Sequence, residues 1–186
     1  MADVEPVDEQ SFSNLNSSAH PLIAIFGLGN PLLGDDGVGW AIAQQIQTRL
    51  TQAPELKSIK SYYKIEVETL SLGGLSLMER LAGCEKAILI DSIVTGNQPL
   101  GTVMHFELNE LPTEYVGHMS SAHDVSLTTA LEVGRSMGIQ LPEVIEIVAV
   151  ESQIVYEFSE KLSDPVAAAV PEAVTLTLKI LEQLIC

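Results

Sequence analysis

Short apolar runs and helical periodicities interleave along most of the chain. Residues 22–26 (LIAIF) are continuously apolar, as expected of a strand covered on both faces in a parallel sheet. After the loop GLGNPLLGDDG, apolar Val38, Ala41, Ile42, Ile46 and Leu50 recur at helical spacing before a break at Pro54. Residues 65–70 (IEVETL) alternate like a strand, residues 75–81 suit a short helix, and residues 87–90 form a second buried run ending at Asp91. The order β-α-β-α-β indicates a parallel sheet.

The second half continues the pattern less regularly. Residues 101–107 (GTVMHFE) read as a further strand, suited to an edge, followed by a long polar loop over residues 109–120. Ser121-Ala-His-Asp124 has the form of a capping box, which places a helix start at Ser121 and His123 in the first turn. Val125, Leu127, Ala130, Leu131 and Val133 then carry that helix to about Gly138. Residues 144–150 make a last strand and residues 166–184 a terminal helix, in which Pro171 marks the true start or a kink. The expected fold is α/β: three layers, α/β/α, with a mostly parallel, twisted sheet of roughly five strands flanked by helices. One domain is expected over residues 21–186. Residues 1–20, rich in Ser, Asn, Asp and Glu, are expected to be a disordered tail, because they bury too little apolar surface to offset the entropy of ordering.

Composition narrows the function classes. A chain of 186 residues that is 46% hydrophobic supports one substantial core and is short for two. Its formal charge of -16, from 25 acidic and 9 basic side chains, produces a field that repels phosphate backbones and anionic lipid. Nucleic acid and membrane are therefore not expected as partners. Cys84 and Cys186 form neither a CxxC pair nor a disulfide framework. The N-terminus MADVEPVDEQ is acidic where a signal peptide is basic, and no apolar run is long enough to span a bilayer. A reducing cytoplasm is the expected location.

Candidate chemistry gathers where open α/β sheets bind ligands, beyond the carboxyl ends of the strands. Asp35 and Asp36 follow the first strand, Asp91 follows the 87–90 run, and His123 opens a helix. Two carboxylates and an imidazole make a ligand set suited to a divalent transition metal such as Ni(II), and equally to zinc. The positive end of a helix dipole would keep His123 neutral and available as a ligand. Taken singly, Asp36 also fits a helix cap and Asp91 an acceptor for loop amides. Their convergence is what points to a site.

Other motifs fail. Gly27-Leu-Gly29-Asn-Pro-Leu32 starts like a dinucleotide fingerprint but has Leu32 in place of the third glycine, and the acids beyond oppose a pyrophosphate. Gly29 to Gly34 has phosphate-loop spacing, with Asp35 and Asp36 standing where Lys and Ser or Thr are required. His20 falls in the tail and His105 in a strand, while His118, in the loop before His123, remains an auxiliary candidate. No GxSxG elbow is present, and Cys84 has no histidine near it in sequence.

Residues 23–39, IAIFGLGNPLLGDDGVG, resemble the opening signature of the endopeptidases that mature nickel-iron hydrogenases. ILIDSIV at residues 88–94 and SAHDVSL at residues 121–127 resemble that family's later acidic strand end and its histidine segment. The resemblance implies metal contacts at Asp36, Asp91 and His123, with Asp36 and Asp91 also as the catalytic acids, whether of an aspartic-type or a metal-assisted protease. The first acid is often Glu in relatives, and where they often carry Asp-Gly-Gly-Thr this chain has TLSLGG from Thr69 to Gly74, without an aspartate. The implied reaction removes a C-terminal peptide from the hydrogenase large-subunit precursor after nickel insertion. Nickel of the substrate serves as the recognition signal, and no organic cofactor is implied. A non-proteolytic nickel-binding accessory protein in hydrogenase assembly is the alternative reading.

Overall fold

A computed structural model describes residues 20–52, 62–112, 115–119, 125–153 and 158–186. The expected tail lies outside these residues except for His20, whose Nδ1 is 3.2 Å from the Tyr62 carbonyl oxygen. The elements in chain order are β1 (Leu22–Leu28), α1 (Val38–Gln52), β2 (Lys64–Leu70), α2 (Gly74–Leu81), β3 (Lys86–Ile93), β4 (Val103–Glu107), α3 (Leu127–Ser136), β5 (Val144–Glu151) and α4 (Asp164–Ile185).

The five strands form one sheet in the order β2-β1-β3-β5-β4, parallel except for β4, which runs antiparallel to β5 on the edge. The expected α/β class and strand count hold. Both faces of the sheet are covered. Ile23, Ile25, Ile88 and Ile90 pack with α1 and α4, while Ala24, Phe26, Ala87 and Leu89 pack with α2 and α3. Burial on both faces explains why β1 and β3 read as unbroken apolar runs rather than as alternating ones. Close approach of α1 to β1 and β3 depends on Gly39, where a Cβ would lie 2.2 Å from the Leu28 carbonyl oxygen and 2.5 Å from that of Ile90. Among the described residues no helix is long and apolar enough to cross a membrane.

Three boundaries differ from expectation. The third strand does not stop at Ile90: its pairing with β5 continues through Asp91–Ala149 to Ile93–Glu151, so Asp91 lies inside β3. The third helix starts at Leu127, not after Ser121. Ser126 is its N-cap, with ψ 153° and a side chain that accepts from the Thr129 N–H, which satisfies one otherwise unpaired donor of the first turn. His123, expected in the helix's first turn, lies outside the described residues. The terminal helix begins at Asp164, with Pro165 in its first turn, and runs through Pro171. Pro165 is the proline whose missing N–H costs nothing, because first-turn donors have no helical partner.

Candidate functional site

The strand order reverses direction at β1, since α1 leads outward to β2 and α2 returns the chain to β3 on the other side. Such a switch point leaves a crevice beyond the carboxyl ends of the two central strands. A cleft of about 430 Å³ occupies it, lined by Leu33, Asp36, Ser71, Leu72, Gly73, Ser92, Val94, Val116, Gly117, His118, Ser152 and Gln153.

The adjacent acids Asp35 and Asp36 separate here. Asp35 is buried, and its carboxylate accepts from the Ser163 N–H at 2.6 Å and the Ser163 hydroxyl at 2.8 Å, tying the loop after β1 to the start of α4. Asp36 turns to the cleft. Its Oδ2 accepts the Asn30 N–H at 2.7 Å, while Oδ1 lies 3.3 Å from the Ser92 hydroxyl and 3.5 Å from Nδ1 of His118. Helix capping, the plainer role open to Asp36, is thus replaced by anchorage of its own loop.

Asp91 lies behind His118. The acid is fully buried, its Oδ2 accepts the His118 backbone N–H at 2.9 Å, and its Oδ1 is 3.3 Å from His118 Nδ1. Asp91 Oδ1 and His118 Nδ1 are both buried and neither has a hydrogen-bond partner. Burial raises the Asp91 carboxyl above the ordinary carboxylate range; contacts with His118 oppose the rise and the charge on Asp36 adds to it. Burial pulls the His118 imidazole down, but the close approach and charge of Asp91, with the charge of Asp36, outweigh it, and its pKa ends above the ordinary value. Burial, with the charge on Asp91, also raises Tyr115 beside this group.

Expectation and structure agree in part. The structure places Asp36 and Asp91 within 3.5 and 3.3 Å of the same nitrogen, Nδ1 of His118, whereas His123 lies outside the described residues. The histidine between the two acids is His118, ranked from the sequence only as an auxiliary. Ser71 and Ser92 also line the cleft, the former donating to the Gly29 carbonyl at 2.7 Å. Ser71 falls in the TLSLGG stretch where relatives often carry an acid, which is the one signal that could have drawn attention to it. Cys84 packs in the core beneath α2, its thiol raised by burial. Among the described residues no group of three or more His, Cys, Asp and Glu side chains is arranged to hold a metal ion.

Comparison with known proteins adds a family model described as hydrogenase maturation protease, which matches residues 48–180. The chain belongs to the hydrogenase maturation protease family. That match includes Asp91 and His118 but begins after Asp36. The hydrogenase 2 maturation protease of Escherichia coli (strain K12) is 27% identical over 128 residues, spanning 69% of this chain and 71% of the relative. Among solved structures, the hydrogenase maturating endopeptidase HybD from E. coli superposes with a TM-score of 0.64 at 25% identity, over 87% of this chain and 92% of that one. The [NiFe] hydrogenase maturation protease HybD from Thermococcus kodakarensis gives a TM-score of 0.58 at 24% identity, over 85% and 97%, which shows the shared fold. Members of this family are proteases, so the cleft at the switch point is a candidate active site for peptide-bond hydrolysis.

Proposed function

We propose that this protease removes the C-terminal peptide from a nickel-iron hydrogenase large-subunit precursor after nickel has been inserted, and that the acid and histidine site reads the bound nickel. One observation supports this above the rest: in a chain of this family, the carboxylates of Asp36 and Asp91 both approach the His118 imidazole, at the wall of a cleft that Asp36 and His118 line. Carboxylate oxygen and imidazole nitrogen are donors that suit a divalent transition metal, and two buried polar atoms there, Asp91 Oδ1 and His118 Nδ1, lack partners. Asp36, Asp91 and a histidine form the proposed set. His123 is the histidine nominated by sequence, and His118 the one among the described residues. The metal belongs to the substrate, so this chain need not hold it unaided.

Hydrolysis needs a group to accept a proton from the attacking water, and a positioned carboxylate is sufficient. Asp36 is the acid that lines the cleft, with Asp91 shielded behind the imidazole. The test is incubation of the purified chain with nickel-loaded and nickel-free precursor, followed by mass spectrometry. Release of one C-terminal peptide from the nickel-loaded form alone is the expected result. Equal cleavage of both forms would refute nickel reading, and an intact nickel-loaded precursor would refute the proposed substrate. The same assay excludes a purely carrier role if the peptide appears.

A further inference from the structure

We propose that the outer edge of β4 is a docking strand, to which an extended segment of the precursor adds while one of its side chains enters the groove beside Met104 and Phe106. The inference rests on the proposed function for its substrate and concerns a surface outside the acid and histidine site. β4 forms one edge of the sheet. Residues of an antiparallel strand alternate between bonding the partner strand and pointing away from it. A bulge sets the phase here: Gly101, with φ 82°, donates to the Glu151 carbonyl at 2.9 Å, and the Glu151 N–H donates to the Thr102 carbonyl at 2.9 Å. Met104 and Phe106, opposite Ala149 and Ile147, then bond β5, while Val103 and His105 direct their N–H and C=O groups outward. Glu107, next in that phase, gives its N–H to the Glu110 side chain at 3.2 Å. Among the described residues nothing pairs with the outward groups of Val103 and His105.

The opposite edge is built differently. β2 carries Lys64, Glu66 and Glu68 along its length, and such charges guard an edge against strand addition. β4 carries one acid, Glu107, at its end, and the His105 side chain is already engaged, Nε2 lying 2.6 Å from Glu146 Oε2. What β4 offers a partner is therefore its main chain. A groove of about 380 Å³ lies against it, with half-buried Met104 and Phe106 as the apolar wall and Thr95, Asn97, Gln98 and Pro112 around them. Strand addition draws affinity from main-chain hydrogen bonds and specificity from pockets for alternate side chains, and this edge supplies both. It also leads to the cleft. Because β4 runs antiparallel, its Val103 end lies at the carboxyl ends of the other strands, and Thr95 of the groove directly follows Val94, which lines the cleft.

His105→Pro tests the main chain directly. Proline removes the outward N–H and spares the β5 bonds of Met104 and Phe106, which is why edge strands tolerate it. With nickel-loaded precursor, His105→Pro is expected to raise KM by about 5- to 10-fold, the range of one lost hydrogen bond, and to leave kcat within about 2-fold of wild type. His105→Ala loses the same contact to Glu146 but keeps the N–H, and is expected to raise KM by less. Hydrogen exchange gives a second readout that holds even if His105→Pro fails to fold. In the complex of nickel-loaded precursor with the Asp36→Asn chain, the Val103 and His105 amides are expected to exchange about 10-fold or more slowly than in the free chain. Equal KM values for a folded His105→Pro and His105→Ala would overturn the proposal, as would amides that exchange equally fast in both states. A wild type that cleaves no precursor would refute the proposed function and this occupant with it, whereas cleavage with both amides unprotected would refute the docking strand alone.

Discussion

Neighbouring strands β3 and β5 each bury an acid near their carboxyl ends, and the two acids are satisfied in opposite ways. Glu151 of β5 accepts from the Thr95 N–H at 2.9 Å, the Thr95 hydroxyl at 2.9 Å and the Gly96 N–H at 2.8 Å, all from the turn after β3. Asp91 of β3 accepts one backbone N–H and leaves its other oxygen facing an imidazole without a bond. A fully bonded buried carboxylate holds a turn in place. One left partly bonded beside a cleft stores unsatisfied polarity where a substrate arrives, which is the common condition of functional groups. Asp35 and Asp36 repeat the contrast between adjacent residues, the first clasping Ser163 and the second turned to the cleft.

Several substitutions can break this division. Asp36→Asn is expected to slow precursor cleavage by about 100-fold or more, equivalent to about 2.7 kcal/mol of transition-state stabilisation, with little change in melting temperature. Cleavage at the wild-type rate would remove Asp36 from the catalytic group. Glu151→Ala leaves three donors without their acceptor and is expected to cost about 2–3 kcal/mol in denaturant unfolding, while the folded protein cleaves normally. A stable but inactive Glu151→Ala would reverse the assignment of the two acids. Asp35→Ala loses both bonds to Ser163, and a loss of about 1–2 kcal/mol is expected from the same measurement. Ser92→Ala removes a 3.3 Å contact to Asp36 and is expected to change the cleavage rate by only about 2- to 10-fold, the range of a single modest hydrogen bond.

The scaffold is more legible in the sequence than the site. The runs of β1 and β3 stand out because burial on both faces requires unbroken apolar residues, and the acids that follow such runs, Asp36 after the first loop and Asp91 directly, are marked by the order of residues alone. The end of β3 is harder, since its extension through Asp91 depends on pairing with β5. His118 is harder still. Its position is set by the Val94–Val116 pairing and the close approach to Gly73, contacts between segments distant in sequence. A local pattern also misdirects: Ser121 and Ser126 both suit an N-cap, and the Leu127 N–H bonded to the Met119 carbonyl at 3.1 Å helps place the start at the second.

Cleavage of nickel-loaded precursor by Asp91→Asn, with unfolding stability measured on the same sample, tests most directly whether Asp91 serves the site and not the scaffold. Asn keeps an acceptor for the His118 N–H, so stability within about 1 kcal/mol of wild type is expected, together with cleavage slowed by about 10–100-fold. A folded Asp91→Asn protein that processes the precursor at the wild-type rate would contradict the account.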